Sequence, residues 1–299
     1  MTRVLLLGAS GFLGQHVHAA LDRCPEVEVV TAGRRAAHVD LWLDLTTAGP
    51  ARVADVLRAA GPDAVVNCAG TTRGDPAELA AGNVVAVAAL LDAIGRVGTA
   101  PRLVHLGSAA EYGTVPPRIP ISEAVPPSPV SGYGFTKLAG TELVLAARRH
   151  GLPAVVLRVF NPLGPGTPAS LLPGRLAEAL TTSVRTGEPA RVGSLDGYRD
   201  FVDARDVASA VVAATTATDE VPALLNVGSG RSTALRELAA MMAERAGGAT
   251  VLENQSGSPR SSDVLWQQAD ITTITMALDW RPAIPLDTSL RDMWQTVTV

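Results

Sequence analysis

Short, unbroken apolar runs alternate along this chain with longer segments of helical periodicity. Val4-Leu5-Leu6-Leu7 is the first run, and a helical pattern follows to about Arg23. A run that is apolar at every position, not at alternate ones, predicts a parallel strand buried on both faces. Further strands are predicted at Val27-Glu28-Val29-Val30-Thr31, at Leu43-Asp44-Leu45, within Asp63 to Asn67, and at Arg102 to Leu106. Between them, residues 51–60 read as a helix, and an alanine-rich stretch from about Pro76 to Gly98 reads as a long one. Strand, helix, strand, helix implies right-handed crossovers and an α/β fold with a doubly wound parallel sheet.

Composition narrows this picture. At 299 residues, with 47% hydrophobic and 18% charged, the chain is globular and long enough for about two domains. The formal charge of −4, with no basic run longer than Arg34-Arg35 or Arg148-Arg149, argues against a general nucleic-acid binder. Cys24 and Cys68 offer neither a disulfide framework nor zinc spacing, so no metal site is expected and a reducing cytoplasm fits. The apolar run at the start is too short for a signal peptide, and no uncharged apolar stretch is long enough to span a bilayer as a helix.

The first run enters Gly8-Ala9-Ser10-Gly11-Phe12-Leu13-Gly14. Glycines at 8, 11 and 14 allow a tight turn, close approach to a pyrophosphate and close packing of helix on strand, so a Rossmann-type dinucleotide site is expected there. The second strand ends in Ala32-Gly33-Arg34-Arg35, where an acidic residue would suit the ribose of NAD. An arginine suits a 2′-phosphate instead, which predicts NADPH over NADH with Arg34 as the main contact and Arg35 as its helper; two solvated loop arginines are the alternative. Asp44 is placed to bond the adenine amino group, unless it serves only as a turn residue.

Strand 102–106 delivers Gly107-Ser108-Ala109-Ala110-Glu111-Tyr112-Gly113 to the carboxyl edge of the sheet, where ligands bind in such folds. A proline-rich loop leads on to Ser131-Gly132-Tyr133-Gly134-Phe135-Thr136-Lys137. Lys137 is the sole lysine among 25 basic residues, a compact cation one helical turn from a phenol in a chain that otherwise uses arginine. A surface pair at helical spacing would look the same. A free phenol titrates near pH 10, and bringing it to neutrality requires about 4 kcal/mol of preference for the anion. A buried ammonium in a desolvated cleft supplies that kind of preference.

Together, the glycine turn, Ser108 twenty-five residues before Tyr133-x-x-x-Lys137, the run Leu157 to Gly166, Arg199-Asp200-Phe201-Val202-Asp203, Asn226 to Gly230 and Leu278-Asp279-Trp280-Arg281-Pro282 resemble the extended short-chain dehydrogenase/reductase family. The resemblance runs nearly end to end. It implies that Tyr133 is the acid or base, that Lys137 holds the nicotinamide ribose, that Ser108 bonds the substrate carbonyl, and that Gly8, Ser10, Gly11, Phe12, Leu13, Gly14, Asp44, Leu45 and Ala69 line the cofactor site. Residues 1–160, with a return segment at about 200–227, are expected to form the cofactor domain, and 161–199 with 228–299 a smaller substrate domain. There the resemblance sets Arg199 and Arg260 on the diphosphate of a nucleotide-linked sugar, with Asn161 as a further contact. Both long helices, rich in small residues, suit a two-fold homodimer, although packing on their own sheet explains the pattern as well.

Three departures narrow the reaction. Sugar dehydratases of this type carry Asp-Glu where this chain has Ala109-Ala110. The epimerase-reductases of fucose nucleotides use a cysteine at the position of Ala110 and a later histidine, and no histidine follows His150. Four-epimerases usually hold NAD. What remains resembles nucleotide-sugar 4-ketoreductases acting on 4-keto-6-deoxyhexoses; an epimerase, a ketoreductase of a polyketide-type metabolite and a non-catalytic cofactor sensor are the alternatives.

Overall fold

The structure is a computed structural model that describes residues 1–253 and 264–297. Seven parallel strands form the main sheet: β1 (Thr2–Leu7), β2 (Val27–Gly33), β3 (Leu41–Trp42), β4 (Ala64–Asn67), β5 (Arg102–Ser108), β6 (Ala154–Val159) and, after three strands placed elsewhere, β10 (Leu224–Val227). Their spatial order is β10-β6-β5-β4-β1-β2-β3. The chain therefore runs outward from β1 to β3, returns to β4 on the other side of β1, and winds the opposite way. This β1/β4 boundary is the topological switch point at which open α/β sheets bind ligands.

The continuous apolar run of β1 is explained by two cores. Val4 and Leu6 enter a core shared with Val17 and Leu21 of α1 (Phe12–Leu21), while Leu5 and Leu7 enter a second core on the opposite face. That second core is closed by α2 (Pro50–Ala60) and by one long helix made of α3 (Pro76–Ala80), a π-turn (Ala81–Val85) and α4 (Ala86–Arg96). Each strand side chain points opposite to its neighbour, so a strand sandwiched between helices must be apolar throughout. The helix Pro76–Arg96 is 21 residues long and passes for a membrane span by length and composition alone, although it carries Glu78, Asp92 and Arg96, so no uncharged stretch reaches that length; half of the qualifying window is buried inside the protein. The strand expected at 43–45 is displaced: β3 is Leu41–Trp42, two residues earlier, held at the sheet edge by Ala32 and Gly33 of β2. The side chain of Asp40 fixes this register by accepting the Thr31 N–H (2.8 Å) and hydroxyl (2.8 Å).

After α5 (Gly132–Arg149) and β6, the chain leaves the main sheet for β7 (Asn161–Leu163), α6 (Leu172–Thr186), β8 (Ala190–Val192) and β9 (Tyr198–Asp203), then returns through α7 (Ala204–Thr216) and β10. It then leaves again through β11 (Ser232–Ala234), α8 (Leu235–Arg245), β12 (Val251–Glu253), α9 (Thr272–Leu278) and α10 (Leu286–Val297). β11, β9 and β7 form a small sheet, β12 pairs with β8, and a third core centred on Leu176, Leu180, Leu238, Met242 and Met293 lies beneath them. Asp203 fastens this part to the rest: it caps α7 through the Arg205 N–H (2.8 Å), and Arg205 also reaches Asp292 of α10 at 2.8 Å.

Candidate active site

The glycine turn sits at the switch point. Gly8 adopts φ +80°, and a Cβ there would lie 2.7 Å from the Ala69 nitrogen, so only glycine lets the ends of β1 and β4 approach this closely. At Gly14 a Cβ would lie 2.0 Å from the Gly8 carbonyl oxygen; its absence lets α1 rest on the turn. Helix α1 begins at Gly11 with no side-chain cap, leaving the first-turn N–H groups and the positive end of the helix dipole to an anion. In front of them lies a cleft of about 230 Å³ whose walls include Gly8, Ser10, Gly11, Arg34, Arg35, Asp44, Leu45 and Ala69. Leu13 packs on the core, and Phe12 meets His16 edge to face. Arg34 and Arg35 are exposed immediately beyond β2. Asp44 lies in the loop after β3, where its Oδ1 accepts the Thr46 N–H (3.0 Å) and hydroxyl (2.6 Å). A cradle in which a Cβ would collide and a helix N-terminus facing it are the parts that the pyrophosphate of a dinucleotide requires, and two exposed arginines stand at the rim.

The second group of residues gathers at the carboxyl edge of β5. Ser131 starts α5 by accepting the Gly134 N–H at 3.1 Å. Gly134, next to Tyr133, is pressed onto the preceding turn, since a Cβ there would lie 2.6 Å from the Ala110 carbonyl oxygen. The start of α5 is thereby set against the 3₁₀ turn Ala109–Glu111 that follows Ser108. One turn on, Lys137 is buried, and its Nζ donates to the Leu106 carbonyl at 2.6 Å. It is not a surface ion pair. Burial holds its ammonium below the usual lysine range, and the Glu111 carboxylate pulls it back upward. The Ser108 Oγ accepts the Ala110 N–H at 3.2 Å, which leaves its hydroxyl proton available to another acceptor.

Several residues at this edge were not singled out in the sequence. Glu111 is fully buried and accepts from the Ser108 N–H (2.7 Å), the Thr141 hydroxyl (3.0 Å) and the Arg158 Nε (2.7 Å). Arg158 also stacks 4.5 Å above the Tyr112 ring, whose hydroxyl donates to Asn226 on β10. Removing one partner from a buried pair of this kind costs about 3–5 kcal/mol. In the π-turn, Asn83 accepts from the Thr71 N–H (2.9 Å) and donates to the Thr71 carbonyl (2.8 Å) and the Thr136 hydroxyl (3.1 Å), clamping the loop after β4 to the helix of Tyr133. On β4, the Asn67 Oδ1 accepts the Ala69 N–H, so its amide NH₂ faces the His105 Nδ1 at 3.1 Å. The His105 proton must then sit on Nε2, and burial pushes the imidazole well below its usual range, so it is neutral. A polar residue at the end of an apolar strand was the available signal for Asn67.

On the substrate side, Asn161 of β7 donates to the Asp200 carbonyl (2.9 Å) and to the Gln267 Oε1 (3.1 Å), and Gln267 reaches the Ala109 carbonyl at 3.4 Å. Asn161 and the turn after Ser108 thus face one space. Arg199 on β9 is buried, donates to the Tyr198 carbonyl at 2.9 Å, and is pulled down to about 10 by burial. Gly197 makes room for it, because a Cβ there would lie 3.2 Å from the Arg199 Nη1. Arg260 lies outside the described residues.

This geometry agrees with what the chain is similar to. It is 34% identical to the dTDP-6-deoxy-L-talose 4-dehydrogenase (NAD(P)(+)) of Kitasatospora kifunensis, covering 98% of this chain and 94% of that one. It is 28% identical to the GDP-6-deoxy-D-mannose reductase of Pseudomonas aeruginosa, covering 97% and 95%. Among solved structures, the RMD protein of Pseudomonas aeruginosa complexed with NADPH superposes with a TM-score of 0.86 at 28% identity, over 99% of both chains. The family model for the NAD dependent epimerase/dehydratase family matches residues 4–228. With a nicotinamide-type cleft at the switch point and Ser108, Tyr133 and Lys137 gathered at the edge beside it, the chain belongs to the NAD dependent epimerase/dehydratase family, whose members include NAD(P)-dependent enzymes of nucleotide sugars.

Proposed function

We propose that the protein reduces the 4-keto group of a 4-keto-6-deoxyhexose carried on a nucleoside diphosphate, with NADPH as reductant. The observation that carries this reading is the placing of a buried lone lysine one turn after Tyr133, against the strand that ends in Ser108, beside a cleft rimmed by Arg34 and Arg35. Two full-length relatives named for oxidoreduction of nucleotide-linked 6-deoxy sugars support it.

NADPH in the glycine cleft would supply the hydride. Tyr133 donates its phenolic proton to the C4 oxygen. Ser108, whose Oγ already accepts an N–H, points its own proton at that oxygen and stabilises the developing alkoxide. Lys137 holds a positive charge under the phenol, stabilises the phenolate left behind and orients the nicotinamide ribose. Arg199 binds the diphosphate, for which a fork-shaped cation is suited, and Asn161 meets the sugar from β7.

Two variants separate this reading from its neighbours. Arg34→Ala is expected to raise the KM for NADPH about tenfold or more while leaving that for NADH nearly unchanged, because a charge-assisted bond to a phosphate contributes about 1.5–3 kcal/mol. A wild-type preference for NADH would contradict the cofactor assignment. Arg199→Ala is expected to raise the KM for the nucleotide sugar about 10- to 100-fold on the same grounds. Unchanged affinity would favour a ketone lacking a diphosphate. The function itself is tested by following NADPH oxidation with a panel of 4-keto-6-deoxy sugars on different nucleotides; consumption with none of them would reject it.

A further inference from the structure

We propose that Glu111 is a positioning residue for this site: its carboxylate ties the Ser108 backbone to the helix of Tyr133 and Lys137 and sets a buried anion against the turn of that helix that follows Lys137. The proposal rests on the reading above for what Lys137 does, but its test does not require turnover.

The contacts are unusual in what they join. One Glu111 oxygen accepts both the Ser108 N–H at the end of β5 and the Thr141 hydroxyl at 3.0 Å. Thr141 lies four residues after Lys137, on the same face of α5. The other oxygen takes Arg158 from β6. A single carboxylate therefore fixes the strand that presents Ser108, the helix that presents Tyr133 and Lys137, and the next strand of the sheet. Gly107 makes room for it, since a Cβ there would lie 2.9 Å from the Glu111 Oε1.

The charges around it lead to the same conclusion. Just after β4, Cys68 is uncharged, its thiol pushed up to about 12 by burial. From β5, His105 is neutral. Tyr112, in the turn itself, has its phenol raised by burial and remains neutral. Tyr133 shares α5 with Lys137. Glu123 acts on Tyr112 and is bound to the Asn226 N–H and the Thr273 hydroxyl. Lys137 and Arg158 are thus two buried cations, and Glu111 is the anion that acts on both. Burial alone would favour a neutral amine at Lys137, which could neither stabilise a phenolate nor hold its place as a cation. This effect of Glu111 is distinct from its structural pairing with Arg158.

Because Lys137 is the only lysine, incorporation of lysine labelled with ¹³C at Cε gives one side-chain NMR resonance whose pH titration reports this residue alone. In Glu111→Gln the Lys137 midpoint is expected to fall by about one pH unit, a tenfold loss of proton affinity. Glu111→Gln leaves a buried Arg158 without its anion, at a cost to folding, so the double variant Glu111→Gln/Arg158→Met, which removes both charges of the pair, carries the same test. It is expected to shift the midpoint in the same direction, because Glu111 lies against the helix of Lys137 through Oε1 and Thr141, whereas Arg158 is held on the other carboxylate oxygen. A Lys137 midpoint unchanged in a folded variant would overturn the proposal. Loss of ketosugar reduction in every assay would instead reject the proposed function and leave this result standing.

Discussion

Tyr133→Phe is expected to lower turnover by at least about 10²–10⁴-fold, the range that a positioned general acid contributes, while NADPH binds with its wild-type affinity. The change removes one oxygen and leaves the ring. Ser131 still caps α5, Gly134 still rests on the Ala110 carbonyl, and Lys137 still reaches the Leu106 carbonyl, because none of these contacts involves the phenol. The glycine cleft lies on another stretch of the chain and should be unaffected. Single-turnover kinetics together with NADPH fluorescence titration separate the two effects. Turnover near wild type would remove Tyr133 from the chemistry, whereas a matching loss of NADPH binding would mean that the substitution had disturbed the fold.

Lys137→Arg should be nearly as damaging, although it conserves charge. The ammonium is buried, and its Nζ lies 2.6 Å from the Leu106 carbonyl. A guanidinium is longer, planar and wider, so it cannot take the place that the ammonium fills against the Leu106 carbonyl. The neighbourhood offers little room: Gly140 lies against the Asn83 carbonyl, where a Cβ would be only 2.4 Å away. A displacement of about 1 Å at a reacting group can cost roughly 10²-fold in rate. The expected result is a loss of at least that size with a melting temperature close to wild type. A variant that keeps most of its activity would show that any buried cation suffices and would return Lys137 to a structural role.

The parts of this site that were legible in the sequence are those whose requirements are local. Gly8 and Gly14 are demanded by the backbone itself, one by a positive φ and a crossing strand, the other by a helix lying on a carbonyl. The run Val4 to Leu7 is apolar because it divides between two cores, a pattern visible without any partner. β3 was misplaced by two residues because an edge strand paired only through Ala32 and Gly33 has little pattern of its own; its register depends on the Thr31–Asp40 contact nine residues apart. Glu111 and Asn83 were illegible for a stronger reason. A glutamate after two alanines looks like a solvated turn residue, and only the meeting of β5, β6 and α5 around it makes it a buried anion. Likewise, Asn83 acquires its clamp from Thr71 and Thr136, twelve and fifty-three residues away. Arg199 could be read as a cation at the right place in the order of motifs, but its burial on β9 is a property of the small sheet.

The proposed net reduction is tested most directly by supplying NADPH deuterated at the transferable position together with a nucleoside-diphosphate 4-keto-6-deoxyhexose and examining the product by NMR. The predicted product carries one deuterium at C4 of the sugar for each NADPH oxidised, and it forms at least about 10²-fold more slowly with Tyr133→Phe. A sugar product formed without net consumption of NADPH would contradict the account and indicate an epimerase that returns the hydride it takes.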